Sequence, residues 1–325
     1  MPHRLVTLIA LILALAACAP TPAAPTVTPT ATETPRQLAT RRPTQTPRAI
    51  ATWTASPAPP TATPSITPIP PTPLVVTRPP TITPTPDDSL VIGQSAGGRD
   101  IVGHQIGNGP RVILLVGGVH AGTERNTVEL MNGLLEHFRA NRDDIAPDFS
   151  LMIIPAMNPD GLAATGVAGR FNANGVDLNR NWSCGWQPDA RWSGGPVDPG
   201  ARPFSELETQ AVAALIGRLA PEVALFYHSA ADGVFPGDCP LRGTEWRGGQ
   251  LAAVYGNAAD YSFGSAFTAY PVTGTAPSWV DGMGIPSLDV ELSSASDPQF
   301  ARNLRAVLAV QCWLQGPECD RTQSE

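Results

Sequence analysis

The segment that decides the fold is RVILLVGGVHAGTERNTVELMNGLLEHFRA, Arg111 to Ala140. It begins with a short apolar run, Val112 to Val116, which predicts a buried strand. After a glycine-containing turn, apolar residues recur at three- and four-residue steps from Asn126 to Ala140, which predicts an amphipathic helix. A strand that leads through a short loop into a helix is typical of α/β proteins, so we expect a mixed α/β fold.

Further short apolar or alternating runs, bounded by Gly, Pro or Asn, extend this pattern. They predict strands at Leu90–Ile92, Ile101–Ile106, Leu151–Ile154, Val223–Tyr227 and Ser287–Leu292. A second helix is predicted to begin near Ser205, where Ser-Glu-Leu-Glu matches a capping box, and a third is predicted from Pro298 to Leu314. We therefore expect a mixed, partly parallel twisted sheet flanked by helices, with ligands bound at the carboxyl ends of strands.

The N-terminal part of the chain has a different composition. The 325 residues include 36 prolines, which are concentrated with threonine between Ala19 and Asp88. Such a segment has too few large apolar residues to offset the entropy of ordering, so residues 18–88 are predicted to be a disordered linker. The remainder is long enough for one large domain, expected over residues 89–319 and followed by a tail at 320–325.

The first residues predict export. Residues 1–17 carry Arg4 and then the apolar run LVTLIALILALAA, which has the length of a signal-peptide core and is short for a membrane span. The sequence Leu-Ala-Ala-Cys ending at Cys18 resembles the bacterial lipobox, so we expect a lipoprotein signal peptide and a lipidated Cys18. The alternative is an ordinary secretory peptide with an incidental cysteine. The expected location is outside the cytoplasm, anchored by lipid to the outer face of the cell membrane.

Cysteine usage and net charge limit the function classes. Apart from Cys18 there are four cysteines, which could form two bridges outside the cytoplasm, and we prefer the pairs Cys184–Cys239 and Cys312–Cys319. Their spacing matches no zinc ribbon, so a structural role is expected. The net charge of −7 and the isoelectric point near 5.2 argue against a nucleic-acid partner.

Two histidines stand where predicted strands end. The other three lie in the signal segment, in an early strand and on the polar side of the first helix: His3, His104 and His137. His120 follows the strand RVILLV, and His228 follows the strand VALFY. One histidine at such a place is more often structural. Two of them, with Glu124 four residues after the first, favour a catalytic zinc site of two imidazoles and one carboxylate.

The stretch RFNANGVDLNRNW, Arg170 to Trp182, carries an unusual density of polar groups. Arginine's planar fork suits carboxylates and oxyanions, so a ligand-binding loop is favoured over a polar network that only braces the loop.

Taken together in this order, five motifs resemble the zinc metallocarboxypeptidase family of the carboxypeptidase A type. They are GGVHAGTE, NPDG, GVDLNRNW, YHS and VEL, and the resemblance runs from about Ser89 to Cys319. It implies an enzyme domain with one zinc ion and a peptide substrate that has a free C-terminal carboxylate, acting as a monomer.

The resemblance also implies a role for each matching residue. The zinc ligands would be His120, Glu124 and His228, with Asp177 orienting the first histidine. Arg170 would polarise the scissile carbonyl, Asn179 and Arg180 would hold the terminal carboxylate, Tyr270 would close over the substrate, and Glu291 would be the general base and acid.

Three features depart from the family or compete with these roles. Three residues separate His120 and Glu124, whereas the family has two. Pro277 and Ser278 occupy the region where an acidic residue would favour basic C-terminal residues, so a preference for Lys or Arg is not expected. In the strand SLDVEL, Asp289 shares a face with Glu291 and is the rival base.

The expected function is that of an exported zinc carboxypeptidase that cleaves C-terminal peptide bonds. Two alternatives stay open: an amide hydrolase of the same fold that trims cell-wall stem peptides, and a tethered binding module that lacks catalysis.

Overall fold

The secondary structure alternates between strands and helices, as the sequence predicts. The computed structural model describes residues 89–193, 195–239, 247–265, 267–317 and 319. The strands are β1 (Ser89–Gln94), β2 (Asp100–Ile106), β3 (Arg111–Val116), β4 (Phe149–Ile154), β5 (Arg191–Trp192), β6 (Gly195–Pro196), β7 (Val223–Ser229), β8 (Gly233–Pro236) and β9 (Ser287–Leu292). The helices are α1 (Arg125–Ala140), α2 (Pro159–Ala163), α3 (Leu207–Leu219), α4 (Arg247–Ala259), α5 (Ala276–Gly282) and α6 (Phe300–Gln315). The predicted signal peptide, Cys18 and the linker lie outside the described residues.

Seven strands form one mixed sheet, in the order β1-β2-β4-β3-β7-β9-β8. The four central strands β4, β3, β7 and β9 are parallel, whereas the strands toward both edges pair antiparallel. Every residue of β4 is buried, as expected for a central strand that is covered on both faces. The expectation of a mixed, partly parallel sheet flanked by helices is confirmed.

The sheet separates two apolar layers. On one face, α1, α4 and α6 pack against alternate strand residues such as Ile113 and Leu115. On the other face, α3, α5 and Trp182 pack against Leu114 and Val116. Because neighbouring residues of a strand point to opposite faces, one continuous apolar run supplies both layers.

Helix α3 begins without the predicted capping box. The helix starts at Leu207, and the side chain of its N-cap residue Glu206 makes no capping hydrogen bond. Ser205 Oγ instead donates to the Glu206 carboxylate, at 2.6 Å. Asn181 Oδ1 accepts hydrogen bonds from the Glu206 N–H and from the hydroxyl of Thr209. The prediction was wrong because a side chain distant in sequence takes the place of the local cap.

Both preferred cysteine pairs are joined, since disulfides link Cys184 to Cys239 and Cys312 to Cys319. Disulfides are typical of proteins from oxidising compartments outside the cytoplasm. Within the described part of the chain, no helix is both long and apolar enough to cross a membrane.

Candidate metal centre and active site

The chemistry-bearing residues gather at one edge of the sheet. Strands β3, β7 and β9 run parallel, so their carboxyl ends lie side by side. His228 is the penultimate residue of β7 and is paired in register with Glu291, the penultimate residue of β9. His120 lies in the loop that follows β3.

A turn absorbs the extra residue between His120 and Glu124. The N–H groups of Thr123 and Glu124 both donate to the carbonyl of His120, which closes one helical turn. This turn packs directly on the backbone at Gly169, because a Cβ on Gly122 would lie only 2.4 Å from the Cα of Gly169. The turn brings the Glu124 carboxylate beside the imidazole of His120, so the wider spacing still produces a compact cluster.

Three buried side chains converge at this point. His120 Nδ1 lies 2.9 Å from Glu124 Oε1, and His228 Nδ1 lies 3.1 Å from Glu124 Oε2. The two Nδ1 atoms are 3.2 Å apart. The ligand atoms of His120, Glu124 and His228 all lie within 4.8 Å of one another, and this is the metal-binding cluster found among the described residues. Two imidazoles and one carboxylate form a set that suits zinc and leaves a coordination position for water.

Each histidine has a second carboxylate at its other ring nitrogen. His120 Nε2 lies 3.0 Å from Asp177 Oδ1, and His228 Nε2 lies 3.2 Å from Asp289 Oδ1. A ring nitrogen that donates to a carboxylate leaves the other nitrogen with its lone pair free for a metal. Both imidazoles therefore have the orientation of ligands that bind through Nδ1.

In the metal-free cluster the charges of Glu124 and His228 stabilise each other. Burial alone would raise the pKa of Glu124, but the two imidazoles outweigh it and hold that pKa well below its usual range. Burial alone would lower the pKa of His228, but Asp289 and Glu124 outweigh it and raise that pKa well above its usual value. Glu124 is thus an ionised carboxylate at neutral pH, the form that binds a cation.

Arg170 lies beside the cluster and is held from two sides. Its Nε donates to Asp177 Oδ2 at 2.9 Å, and its Nη2 forms an ion pair with the same oxygen at 2.8 Å. Its Nη1 lies 3.3 Å from His120 Nδ1. The ring of Trp192 stacks on the guanidinium, with 4.3 Å between the ring centroid and Cζ. Burial opposes ionisation of Asp177, but Arg170 and then His120 keep its pKa well below the ordinary value. The loop thus presents a fixed positive charge next to the metal-binding atoms.

The side chains of Arg180 and Asn179 both make hydrogen bonds at the site, but with different kinds of partner. Arg180 donates from Nε to the Arg191 carbonyl and from Nη1 to the Asn179 carbonyl, at 3.1 and 2.7 Å. The Asn179 amide accepts from the Ala276 N–H and donates toward Asp289 Oδ2, at 2.9 and 3.4 Å. Both side chains lie at the site, and the Asn179 amide has two N–H groups, so it can donate to a ligand while it keeps its contact with Asp289.

Glu291 and Tyr270 complete the group that the sequence indicated. Burial raises the pKa of Glu291 to about 7. The charge of His228 opposes this shift, and the charges of Glu124 and Asp289 add to it. Tyr270 packs edge-on against Phe267, and burial raises its pKa. Arg180, Arg170 and Glu291 act electrostatically on Tyr270, which places the tyrosine near both arginines.

Sequence reasoning missed two residues of the site. Asn126 donates to the carbonyls of Ser294 and Asp297 and accepts from Ser229 Oγ, so it joins the start of α1 to the end of β7 and to the segment after β9. Trp192 lies in a two-residue strand with no detectable periodicity. An asparagine two residues after a candidate ligand was a usable signal, whereas nothing local indicated Trp192.

Comparison with known proteins identifies the family of this fold and site. The family model described as zinc carboxypeptidase matches residues 84–303, which is more than half of the chain. The chain belongs to the zinc carboxypeptidase family. Its metallocarboxypeptidase-type hydrolase domain therefore has zinc as its cofactor, and the ligand set His120, Glu124 and His228 fits that ion.

Individual relatives of this zinc carboxypeptidase are distant. A zinc carboxypeptidase from Simulium vittatum is 27% identical over 239 residues, which cover 61% of this chain and 76% of that protein. Murein peptide amidase A from Escherichia coli K12 is 36% identical over 86 residues, covering 23% of this chain and 34% of the amidase. The structure of bovine thrombin-activatable fibrinolysis inhibitor, in complex with tick carboxypeptidase inhibitor, has a TM-score of 0.62 at 19% identity. That alignment covers 71% of this chain and 91% of the bovine chain, and it shows a shared fold.

Proposed function

We propose that this enzyme hydrolyses the C-terminal peptide bond of exported or cell-surface peptides, with Glu291 as general base and acid. The observation that carries the proposal is the position of Glu291. It is a buried carboxylate at a strand end, paired in register with the ligand His228, and its pKa is raised to about 7. A carboxyl group with a pKa near the working pH can both accept and return a proton.

Each residue of the site has a separate role in the proposed hydrolysis. Bound zinc supplies a Lewis acid and lowers the pKa of water. Glu291 takes a proton from the attacking water and delivers it to the leaving amine. Arg170, fixed by Asp177 and Trp192, donates to the carbonyl oxygen as negative charge develops there. Its orientation requires little rearrangement, because both partners already hold it.

Recognition of the substrate terminus rests mainly on Arg180. Its guanidinium is held by two backbone carbonyls, which fixes its direction before a ligand arrives. Asn179 lies next to it and can contribute an amide N–H while it stays in contact with Asp289. Tyr270 borders the same region and would cover a bound C-terminal residue. This arrangement suits a carboxylate, which an arginine can bind through two parallel hydrogen bonds.

Replacement of Glu291 by Gln tests the base assignment. We expect Glu291→Gln to keep its zinc content, measured by mass spectrometry, while kcat falls by about 100-fold or more, since general base catalysis contributes roughly 10²–10⁴-fold. The matched control is Asp289→Asn, which should retain kcat when zinc is saturating. Near-normal turnover by Glu291→Gln would show that another group is the base.

Substrates with free and amidated C-termini test the recognition of the terminus. We expect the free acid to be cleaved much faster, and Arg180→Met to remove most of that difference while zinc binding stays unchanged. Equal cleavage of the two substrates by the unmodified enzyme would contradict a carboxylate-binding role for Arg180.

A cell-wall stem peptide is the second candidate substrate class. It is favoured by the 36% identity to murein peptide amidase A, although that match covers only 34% of the amidase. Parallel assays on a muropeptide and on a panel of peptides with varied C-terminal residues would separate the two classes. Loss of hydrolysis on adding a chelator, with recovery on adding zinc, would exclude an inactive binding module.

We also propose that the enzyme is exported and anchored by lipid at Cys18, with residues 18–88 as the spacer and residues 89–319 as the catalytic domain. The two disulfides of the described region support export. The test is palmitate labelling of cells that express the full chain: label should enter the protein, and Cys18→Ser should abolish labelling and release the enzyme from the membrane fraction. Labelling that persists in Cys18→Ser would contradict the assignment.

A further inference from the structure

Asp289 lies between the metal-binding cluster and the residues assigned to the substrate terminus. Its side chain is 16% exposed, and Oδ1 lies 3.2 Å from His228 Nε2. Among the described residues this buried oxygen accepts no hydrogen bond, so its contact with the His228 imidazole is an ion-pair contact defined by distance. The second oxygen, Oδ2, lies 3.4 Å from Asn179 Nδ2.

The contact to His228 repeats the contact between Asp177 and His120. In each case a carboxylate lies beside Nε2, while Nδ1 faces Glu124. At His228 the amide nitrogen of Asn179 also lies 3.3 Å from Nε2, so Asp289 and Asn179 meet the ring at the same nitrogen. A histidine that donates from Nε2 must carry its lone pair on Nδ1, which is the form that binds a metal. An N–H on Nε2 that faces each aspartate would give the two imidazoles the same tautomer, with the lone pair on Nδ1.

We propose that Asp289 is a positioning residue that orients His228 for zinc through Oδ1 and orients Asn179 for the substrate terminus through Oδ2. The first part concerns the metal centre alone, and the second part rests on the proposed function. Asp289 thereby joins the metal site to the substrate-binding region through one carboxylate.

The position of Asp289 also argues against a role as the general base. The carboxylate contacts the nitrogen of His228 that points away from the cluster, so the width of the imidazole ring lies between Asp289 and the metal-binding atoms. Glu291 is two residues further along β9, at the end of the strand. The two carboxylates share a strand face but have different neighbours, and only Asp289 has a ring nitrogen of a ligand within 3.2 Å.

Zinc affinity is the readout that tests the positioning of His228. We expect Asp289→Ala to weaken zinc binding by about 10–100-fold, the range typical of lost partners of metal ligands, measured by competition with a chelator. Asp289→Asn should fall between Asp289→Ala and the unmodified protein, because its amide oxygen can still accept from Nε2–H. The cobalt-substituted Asp289→Ala protein should show altered visible absorption bands.

Steady-state kinetics at saturating zinc test the contact to Asn179. We expect Asp289→Ala to raise KM for a free C-terminal peptide several-fold with a much smaller change in kcat, because Asn179 loses the partner that fixes its amide. The matched control is Asp148→Asn, an exposed aspartate that pairs with Arg111 on the surface. It should alter neither zinc affinity nor KM.

Unchanged zinc affinity in Asp289→Ala would overturn the role at His228. A collapse of kcat at saturating zinc, with normal zinc affinity, would overturn the proposal and make Asp289 the base. A KM that stays at the unmodified value would overturn the contact to the substrate region. Failure of the proposed function would look different: the unmodified protein would bind zinc with the predicted dependence on Asp289 but would hydrolyse none of the peptides.

Discussion

Replacing Asp177 by Asn tests how the buried charges of the site depend on one another. Asp177 is fully buried, and four nitrogen atoms lie 2.8–3.0 Å from its carboxylate oxygens. Oδ1 accepts from His120 Nε2 and the Asn179 N–H, and Oδ2 accepts from Arg170 Nε and forms an ion pair with Arg170 Nη2. Asparagine has nearly the same volume, so the substitution changes charge and hydrogen bonding without opening a cavity.

The expected loss follows from these contacts. An asparagine has one acceptor oxygen, so whichever way its amide turns, two of the four donors face an NH₂ group. A buried donor without a partner costs about 1–3 kcal/mol, and removing one member of a buried ion pair costs about 3–5 kcal/mol. We expect Asp177→Asn to lower the free energy of unfolding of the zinc-free protein by about 4 kcal/mol. Zinc affinity should also fall by about 10–100-fold, because His120 loses its orienting carboxylate.

Urea unfolding of the zinc-free protein, monitored by circular dichroism, measures the free energy of unfolding. Competition with a chelator measures the zinc affinity. Asp148→Asn is the control, since its exposed pair with Arg111 should contribute no more than about 1 kcal/mol. If Asp177→Asn unfolds within about 1 kcal/mol of the unmodified protein, the inference that Asp177 compensates the Arg170 charge is wrong.

Three further predictions concern pH, a disulfide and an aromatic ring. Glu291 must be ionised to act as a base, and bound zinc lowers its pKa from about 7. We therefore expect kcat/KM to rise with pH, with the acid limb of the profile at or below pH 7. A kcat/KM that falls between pH 5 and 7 would contradict this. The Cys184–Cys239 bridge closes a loop of 55 residues, so replacing both cysteines by Ala should cost about 4 kcal/mol in urea unfolding, and a loss below about 1 kcal/mol would refute the estimate. Trp192→Ala should reduce kcat/KM about fivefold, because it removes the ring stacked on Arg170. Trp192→Phe keeps an aromatic ring and should have a kcat/KM closer to that of the unmodified enzyme. Equal kcat/KM for both variants would exclude a role of the stacked ring in catalysis.

The sequence predicted most of the sheet and the residues of the site, but it missed elements with weak periodicity. The strand Gly233–Pro236 and the helix Arg247–Ala259 were not predicted, since glycine and proline interrupt or border both segments. The helix Ala276–Gly282 was also missed, because the stretch that contains it was interpreted only as a specificity region. Local pattern is informative only where it persists over several turns or alternations.

Spacing within a motif was a weaker guide than the position of the motif at a strand end. The extra residue between His120 and Glu124 raised doubt about the carboxylate ligand, yet a single helical turn brings the two side chains to 2.9 Å. A loop can absorb one residue because its backbone has several ways to close the same distance. The strand end that positions His120 cannot shift in this way, since its register is fixed by the neighbouring strands.

The sequence by itself determined the α/β class, the segments that form the parallel strands and the residue types that gather where those strands end. It could do so because periodicity and motifs are local properties of the chain. Only the tertiary structure decided which partner each polar group has: that Asn181 caps α3, that Trp192 covers Arg170, and that Asp289 faces His228. These contacts join residues far apart in sequence, and their energies depend on burial and distance, which exist only once the chain has folded.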